Sequence, residues 1–314
     1  MDRVSNRDRE QWVLVLSAVK RAARRLPKAG APPEVPRLAH RGDVPVGGVA
    51  RPVPQLGVSS ACGRSHDGGV FRPRKLPSVS QFTRRIRSER CRRILQWVHE
   101  ELAAAHLATP VSYFDGKPLL VSPVSKDRDA GRGRVSGGWG KGYKLHAWGT
   151  EDGRIPLFCL TPLHAGECPV AEPLAWLLPP LPPGAVVLAD TNFDDRDLHK
   201  PVNAKGGALV SPLKGQKEHP PEAGRHPVTL RQMGPGRREL LEAWAQNPDL
   251  VWHVLKGRVR IENTFSRVTF AGLGHLPPFV RGIGRVTRWA GAKLILYHAL
   301  LRAKGPAPLP PAWG

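Results

Sequence analysis

Three acids in this 314-residue chain stand at places where a carboxylate does chemistry more readily than it does packing. Asp115 follows the apolar run of "VSYFDGKPLLV", Asp190 closes "AVVLAD", and Glu262 lies in "GRVRIENTFSRVTF" with Arg258 one helical turn before it. Each has an ordinary reading. Asp115 precedes Gly116 as a turn residue would, Asp190 could cap the next helix, and Arg258 with Glu262 has the spacing of a surface pair. Together they point further, because an acid at the end of a buried strand is costly unless a cation or hydrogen bonds offset it. Two strand ends and a helix can bring three carboxylates around a pair of Mg²⁺ (or Mn²⁺) ions about 3.5–4 Å apart. Such ions keep positions open for water and phosphate oxygens, which suits in-line attack on a phosphodiester.

The elements that would position these acids can be read from periodicity. The stretch 111–115 is expected to be a short strand ending near Asp115. "GWGKGYKLHAWGTEDGRIPLFCLTP" reads as two strands about the turn Glu151-Asp152-Gly153, and "AVVLAD" and "GALVSPL" as further strands. "CPVAEPLAWLL", "DDRDLHKPV" (capped by Asp194 or Asp195), "RRELLEAWAQN", "GRVRIENTFSRVTF" and "GRVTRWAGAKLILYHALLRAK" read as helices. Strands followed by mixed elements and then helices predict an α/β domain, a central sheet flanked by helices, over residues 111–302. Residues 1–26 form an amino-terminal helix, and 27–77 a Pro/Gly-rich linker without periodicity. The stretch 78–110 is a basic helix opened by a capping box from Ser78 to Gln81. Residues 303–314 form a Pro-rich tail, and roughly 200–250 reads as an insertion.

Lys and Arg total 48 against 26 Asp and Glu, giving a net charge of +22. A field of that sign attracts polyanions, nucleic acid first. Residues 1–110 carry 21 basic and 9 acidic side chains, so the excess is spread along the chain rather than confined to a tail. Arg84 and Arg85, with four more arginines before residue 94, form a candidate phosphate-binding face. Lys205, Lys214 and Lys217 are candidate backbone contacts, with solvated lysines the equal alternative. Trp139, Trp148 and Trp252 could stack on a frayed base, though core packing suits most tryptophans better. His146 could approach a metal site and fits a sheet-face histidine better. Four cysteines without CxxC spacing exclude a zinc ribbon or a disulfide scaffold, and no segment predicts a signal peptide or a membrane span. The expectation is a soluble protein of a reducing cytoplasm.

Taken together, these motifs resemble the DDE transposases of the IS4/IS5 type. The likeness runs over 113–301 in five ordered blocks: "YFDGKPL", the long "GWGKGYKLHAWGTEDGRIPLFCLTPLHAGECPVAEPL", "VVLADTNFDDRDL", "ALVSPLKGQK" and "RVRIENTFSRV". It implies an RNase H-like catalytic fold, with Asp115, Asp190 and Glu262 as the catalytic, metal-holding triad and two Mg²⁺ or Mn²⁺ ions as cofactors. It also implies that Arg258 grips a transposon-end phosphate. The partners would be the double-stranded terminal inverted repeats and the target DNA. A homodimer would hold two ends together, near the bacterial nucleoid. The chain departs from the family's pattern at several places: Leu255 stands for its Tyr and Thr269 for its Lys, with Arg267 near but out of register. Phe193 stands where Tyr is usual and Glu167 where Asp is common. The readings open from sequence are an active transposase, a decayed or domesticated DNA-binding relative, and a basic nucleic-acid-binding protein without catalysis. A glycosidase-like use of paired carboxylates fits the charge poorly.

Overall fold

A computed structural model describes residues 6–26, 78–103, 109–212, 235–269 and 276–303. Lys214 and Lys217, the linker 27–77 and the tail beyond 303 lie outside the described residues.

Among the described residues six strands form one mixed sheet. They are β1 (Val111–Leu120), β2 (Gly131–Val135), β3 (Gly138–Thr150), β4 (Leu157–Pro162), β5 (Val186–Leu188) and β6 (Ala208–Val210). The order runs β2-β3-β1-β5-β6, and β4 shares with β2 the outer edge of β3. The pairs β1–β3, β2–β3 and β3–β4 are antiparallel, whereas β1–β5 and β5–β6 are parallel. The helices are α1 (Asn6–Arg25), α2 (Val79–Arg87), α3 (Glu89–Ala103), α4 (Cys168–Trp176), α5 (Arg196–Ala204), α6 (Pro235–Gln246), α7 (Pro248–Lys256), α8 (Val259–Val268) and α9 (Ile283–Ala303).

Alternation along the strands divides the core in two. Tyr113, Leu119, Leu145, Ala147 and Leu188 meet Trp244, Val251, Ile261, Phe265, Val286 and Leu294 from α6 to α9 on one face. Phe114, Trp148, Val187 and Leu209 meet α4 and α5 on the other. Each large side chain taken fully out of water stabilises the sandwich by about 1.5–3 kcal/mol. A third cluster joins Ala18 and Ala22 of α1, Val98 and Leu102 of α3, and Ile295 and Ala299 of α9.

Two expectations are corrected. Asp115 does not end its strand: β1 continues to Leu120, because β3 goes on pairing with it as far as Leu120 opposite Gly142. The basic stretch after Ser78 is two helices. The Ser78–Gln81 capping box is present, but Ser88 takes an extended conformation. Its hydroxyl donates to Arg85 O (2.6 Å) and accepts from Cys91 N (3.2 Å), ending one helix and opening the next.

Candidate active site

The parallel pairing of β1 with β5 ends at Tyr113 opposite Leu188. Asp115 and Asp190 each stand two residues beyond that last pair. Period-two alternation therefore puts both on the face of Tyr113 and Leu188, the side covered by α6 to α9. This is where two parallel strands part, at their carboxyl ends, the usual place for a site in an open α/β sheet. Asp115 is part-buried and accepts from Gly116 N (2.7 Å). Asp190 accepts from Asn192 N (2.8 Å) and caps a short 3₁₀ turn, Thr191–Phe193.

Asp115 feels the charge of Asp190. Asp115 is pushed up to about 6, chiefly by burial, with the Gly116 N–H and the Arg258 guanidinium opposing and the charges of Asp190 and Glu167 adding to the rise. Glu167 belongs to the opposite side of the strand. It pairs with Lys144 at 3.2 Å, and a Cβ on Gly116 would meet its Oε1 at 2.9 Å.

Helix α8 delivers the third acid and the arginine. It can lie close to β3 because Gly149 has no side chain, and a Cβ there would come within 2.5 Å of Ile261 Cδ1. Arg260 fixes its azimuth through Glu151 at 2.6 Å. Gly257, between α7 and α8, rests near Leu188 Cδ1. Arg258 therefore enters beside the β1–β5 cleft. Its Nη2 donates to Glu262 Oε1 at 2.9 Å, and the Glu262 side chain is 54% exposed. Among the described residues no three His, Cys, Asp or Glu side chains converge as a ready metal set. Asp115, Asp190 and Arg258 are electrostatically linked, and Glu262 joins them through Arg258.

Lys117, which the sequence motifs do not single out, lies two residues past Asp115 on the same face. Its ammonium sits 5.8 Å from the centre of the Phe265 ring. Burial pulls its pKa down while Asp115 holds it up. The signal is present in "DGK", since strand residues two apart share a face.

The remaining candidates separate clearly. Leu255 is a core residue, and Thr269 Oγ1 donates to Phe265 O (2.7 Å), so neither supplies the family's missing phosphate contacts. Arg267 is exposed on α8, Arg84 and Arg85 are exposed on α2, and Lys205 follows α5. His146 faces away from Asp115, since it pairs in register with Gly116 and meets Thr161 Oγ1 at 2.9 Å. Trp148 is fully buried, Trp252 packs against the core, and Trp139 is 80% exposed. Asp195 caps α5 through Asp197 N, whereas Asp194 is buried against Arg237 of α6. Among the described residues no helix is long and apolar enough to cross a membrane.

Comparison with known proteins agrees with this architecture. No curated protein and no solved structure matches the chain. A family model described as a transposase DDE domain matches residues 107–297, from just before β1 into α9. A mixed sheet with helices on both faces is consistent with the RNase H-like form expected of such a domain. With more than half of its length covered by that match, the chain belongs to the DDE transposase family.

Proposed function

We propose that this transposase cuts DNA at the terminal inverted repeats of its own insertion element and joins the freed 3′-hydroxyl to target DNA. The observation that carries the reading is the pairing of Asp115 with Asp190. Both stand two residues beyond the last β1–β5 pair, on one face, with Arg258 acting on the same carboxylate. Two adjacent, partly desolvated acids favour a divalent cation between them, and their oxygen donors suit Mg²⁺ or Mn²⁺. Asp115 and Asp190 would hold the metal, with Glu262 completing the set once Arg258 turns to a phosphate. When bound, two such ions activate the attacking water or hydroxyl and stabilise the charge of the leaving oxygen. Arg258 neutralises and orients the scissile phosphate, for which a guanidinium fork is well shaped. Arg84, Arg85, Arg267 and Lys214 are proposed backbone contacts. A pair of subunits would hold the two ends, and the work would be done on the nucleoid in the cytoplasm.

A second reading keeps DNA binding and drops cutting. Leu255 and Thr269 motivate it, because neither supplies the side chain that the family pattern has there. Purified protein with a duplex carrying the element's ends and Mg²⁺ or Mn²⁺ decides between them. Asp190→Ala is expected to lose cutting by about a thousandfold, which corresponds to several kcal/mol of transition-state stabilisation, while retaining binding. Equal nicking by wild type and variant would overturn the enzymatic reading.

A further inference from the structure

We propose that the β2–β3 hairpin is a second DNA-binding element, one that takes the backbone of the duplex flanking the cut rather than the scissile phosphate. The proposal rests on the reading of the chain as a DNA-cutting transposase.

The hairpin's two faces differ completely. In register, Arg132 stands opposite Lys141, and Arg134 opposite Trp139. Opposed residues share a face, and so do residues two apart on one strand. All four therefore lie on one side. Arg132 and Arg134 are exposed, and Trp139 is 80% exposed. Lys141 directs one donor to Ser125 O at 2.7 Å. Among the described residues, none of the three cations pairs with a carboxylate.

The other side is glycine but for Val135 near the turn. A Cβ on Gly133 would meet Leu163 O at 2.7 Å, and one on Gly140 would meet Leu120 Cδ2 at 2.8 Å. The ribbon is thus pressed flat onto its neighbours and displays three cations around one indole. A two-residue turn with Gly137 at φ 88° closes it. Unpaired arginines around an exposed aromatic match a phosphodiester backbone, the arginines taking phosphates and the ring packing on sugar or base. An apolar protein partner would leave those charges unanswered.

The hairpin also faces the right way. Trp139, Lys141, Tyr143, Leu145 and Ala147 alternate onto one side of β3, and Ala147 is the residue opposite Asp115. Trp139 is eight residues from Ala147 along β3. At about 3.3 Å per residue that is roughly 26 Å, the length of about eight base pairs of duplex. Tyr143, Leu145 and Ala147 between them are buried under the helices, so the hairpin projects past that cover and would meet the flanking duplex about that far from the cut.

The test uses the full chain and a fluorescein-labelled duplex of arbitrary sequence, titrated between about 50 and 200 mM salt. Arg132→Gln with Arg134→Gln is expected to lower the salt slope by about two and weaken binding roughly 10–100-fold. Trp139→Ala is expected to weaken binding roughly tenfold with the slope unchanged. Arg24→Gln with Arg302→Gln, which removes the same charge elsewhere, is expected to leave the slope in place. If the hairpin variants melt and bind like wild type, or if the control pair loses as much as the hairpin pair, the inference falls while the transposase reading stands. If the wild-type chain binds no duplex, both fall.

Discussion

At the level of single residues, Asp115 sets burial against charge. Its carboxyl is held up to about 6 by burial and by a second acid, so its ionised form costs the native state free energy at neutral pH. Asp115→Asn removes that cost. In chelator at pH 7 the variant is expected to be more stable by about 1–3 kcal/mol in urea unfolding, and to cut nothing. A less stable variant would show that contacts other than metal offset the cost of the acid. Asp115 and Asp190 draw notice in the sequence because a carboxylate after an apolar run is out of place, and the structure puts both on one face of the sheet. The link from Glu262 to Arg258 was legible too, from i, i+4 spacing. The tie of Arg258 to Asp115 was not, since it depends on a glycine of β3 that lets α8 approach.

Elements were legible where their period was clean. The helix pattern of α8 and α9 and the β3–β4 pair stand out, and the structure has them. Strand β2 did not, because "GRGRV" has no apolar run; it is a strand only because β3 pairs with it. Helix α7 was likewise missed, its nine residues wedged between Asn247, which caps it, and Gly257. The break at Ser88 lies in a serine that bonds both ways along the chain, which a count of apolar residues does not register. Two predictions belong at this scale. Gly149→Ala drives a methyl into Ile261 and is expected to cost about 1–3 kcal/mol, with Ile261→Val restoring part of the loss in a double-mutant cycle. Additive losses would mean that α8 does not rest on β3 there. The buried pair between Asp194, after β5, and Arg237 ties the Asp190 turn to α6. Asp194→Ala strands a buried guanidinium and is expected to cost about 3–5 kcal/mol by thermal unfolding. A loss under about 1 kcal/mol would mean that water reaches Arg237.

At the scale of the fold, the four buried histidines among the described residues shape the response to acid. His99, His146 and His199 are lowered to about 4 and His298 well below its ordinary 6.5, in each case chiefly by burial. Because the unfolded chain takes up these protons first, stability is flat above about pH 6.5 and falls below it, by up to about 1.4 kcal/mol per pH unit for each histidine. Asp115 works in the opposite sense between about 6 and 3.8, one group against four. Unfolding free energies from denaturant titrations at about pH 7 and 5.5 are expected to differ by several kcal/mol, and equal values would refute the burial of these rings. Charge was readable from composition and the α/β class from the order of elements, whereas the third apolar cluster was not, since it joins segments far apart in the chain. Helix α9 gives Val286, Ala290 and Leu294 to the sheet core and Ile295 and Ala299 to α1 and α3. The family match, 107–297, cuts through this helix and omits both of its amino-terminal partners. A fragment trimmed to those limits would bare a greasy flank and lose the last turns of its longest strut. An expressed fragment should therefore keep α1, α3 and the end of α9 with the sheet, because their apolar faces cover one another.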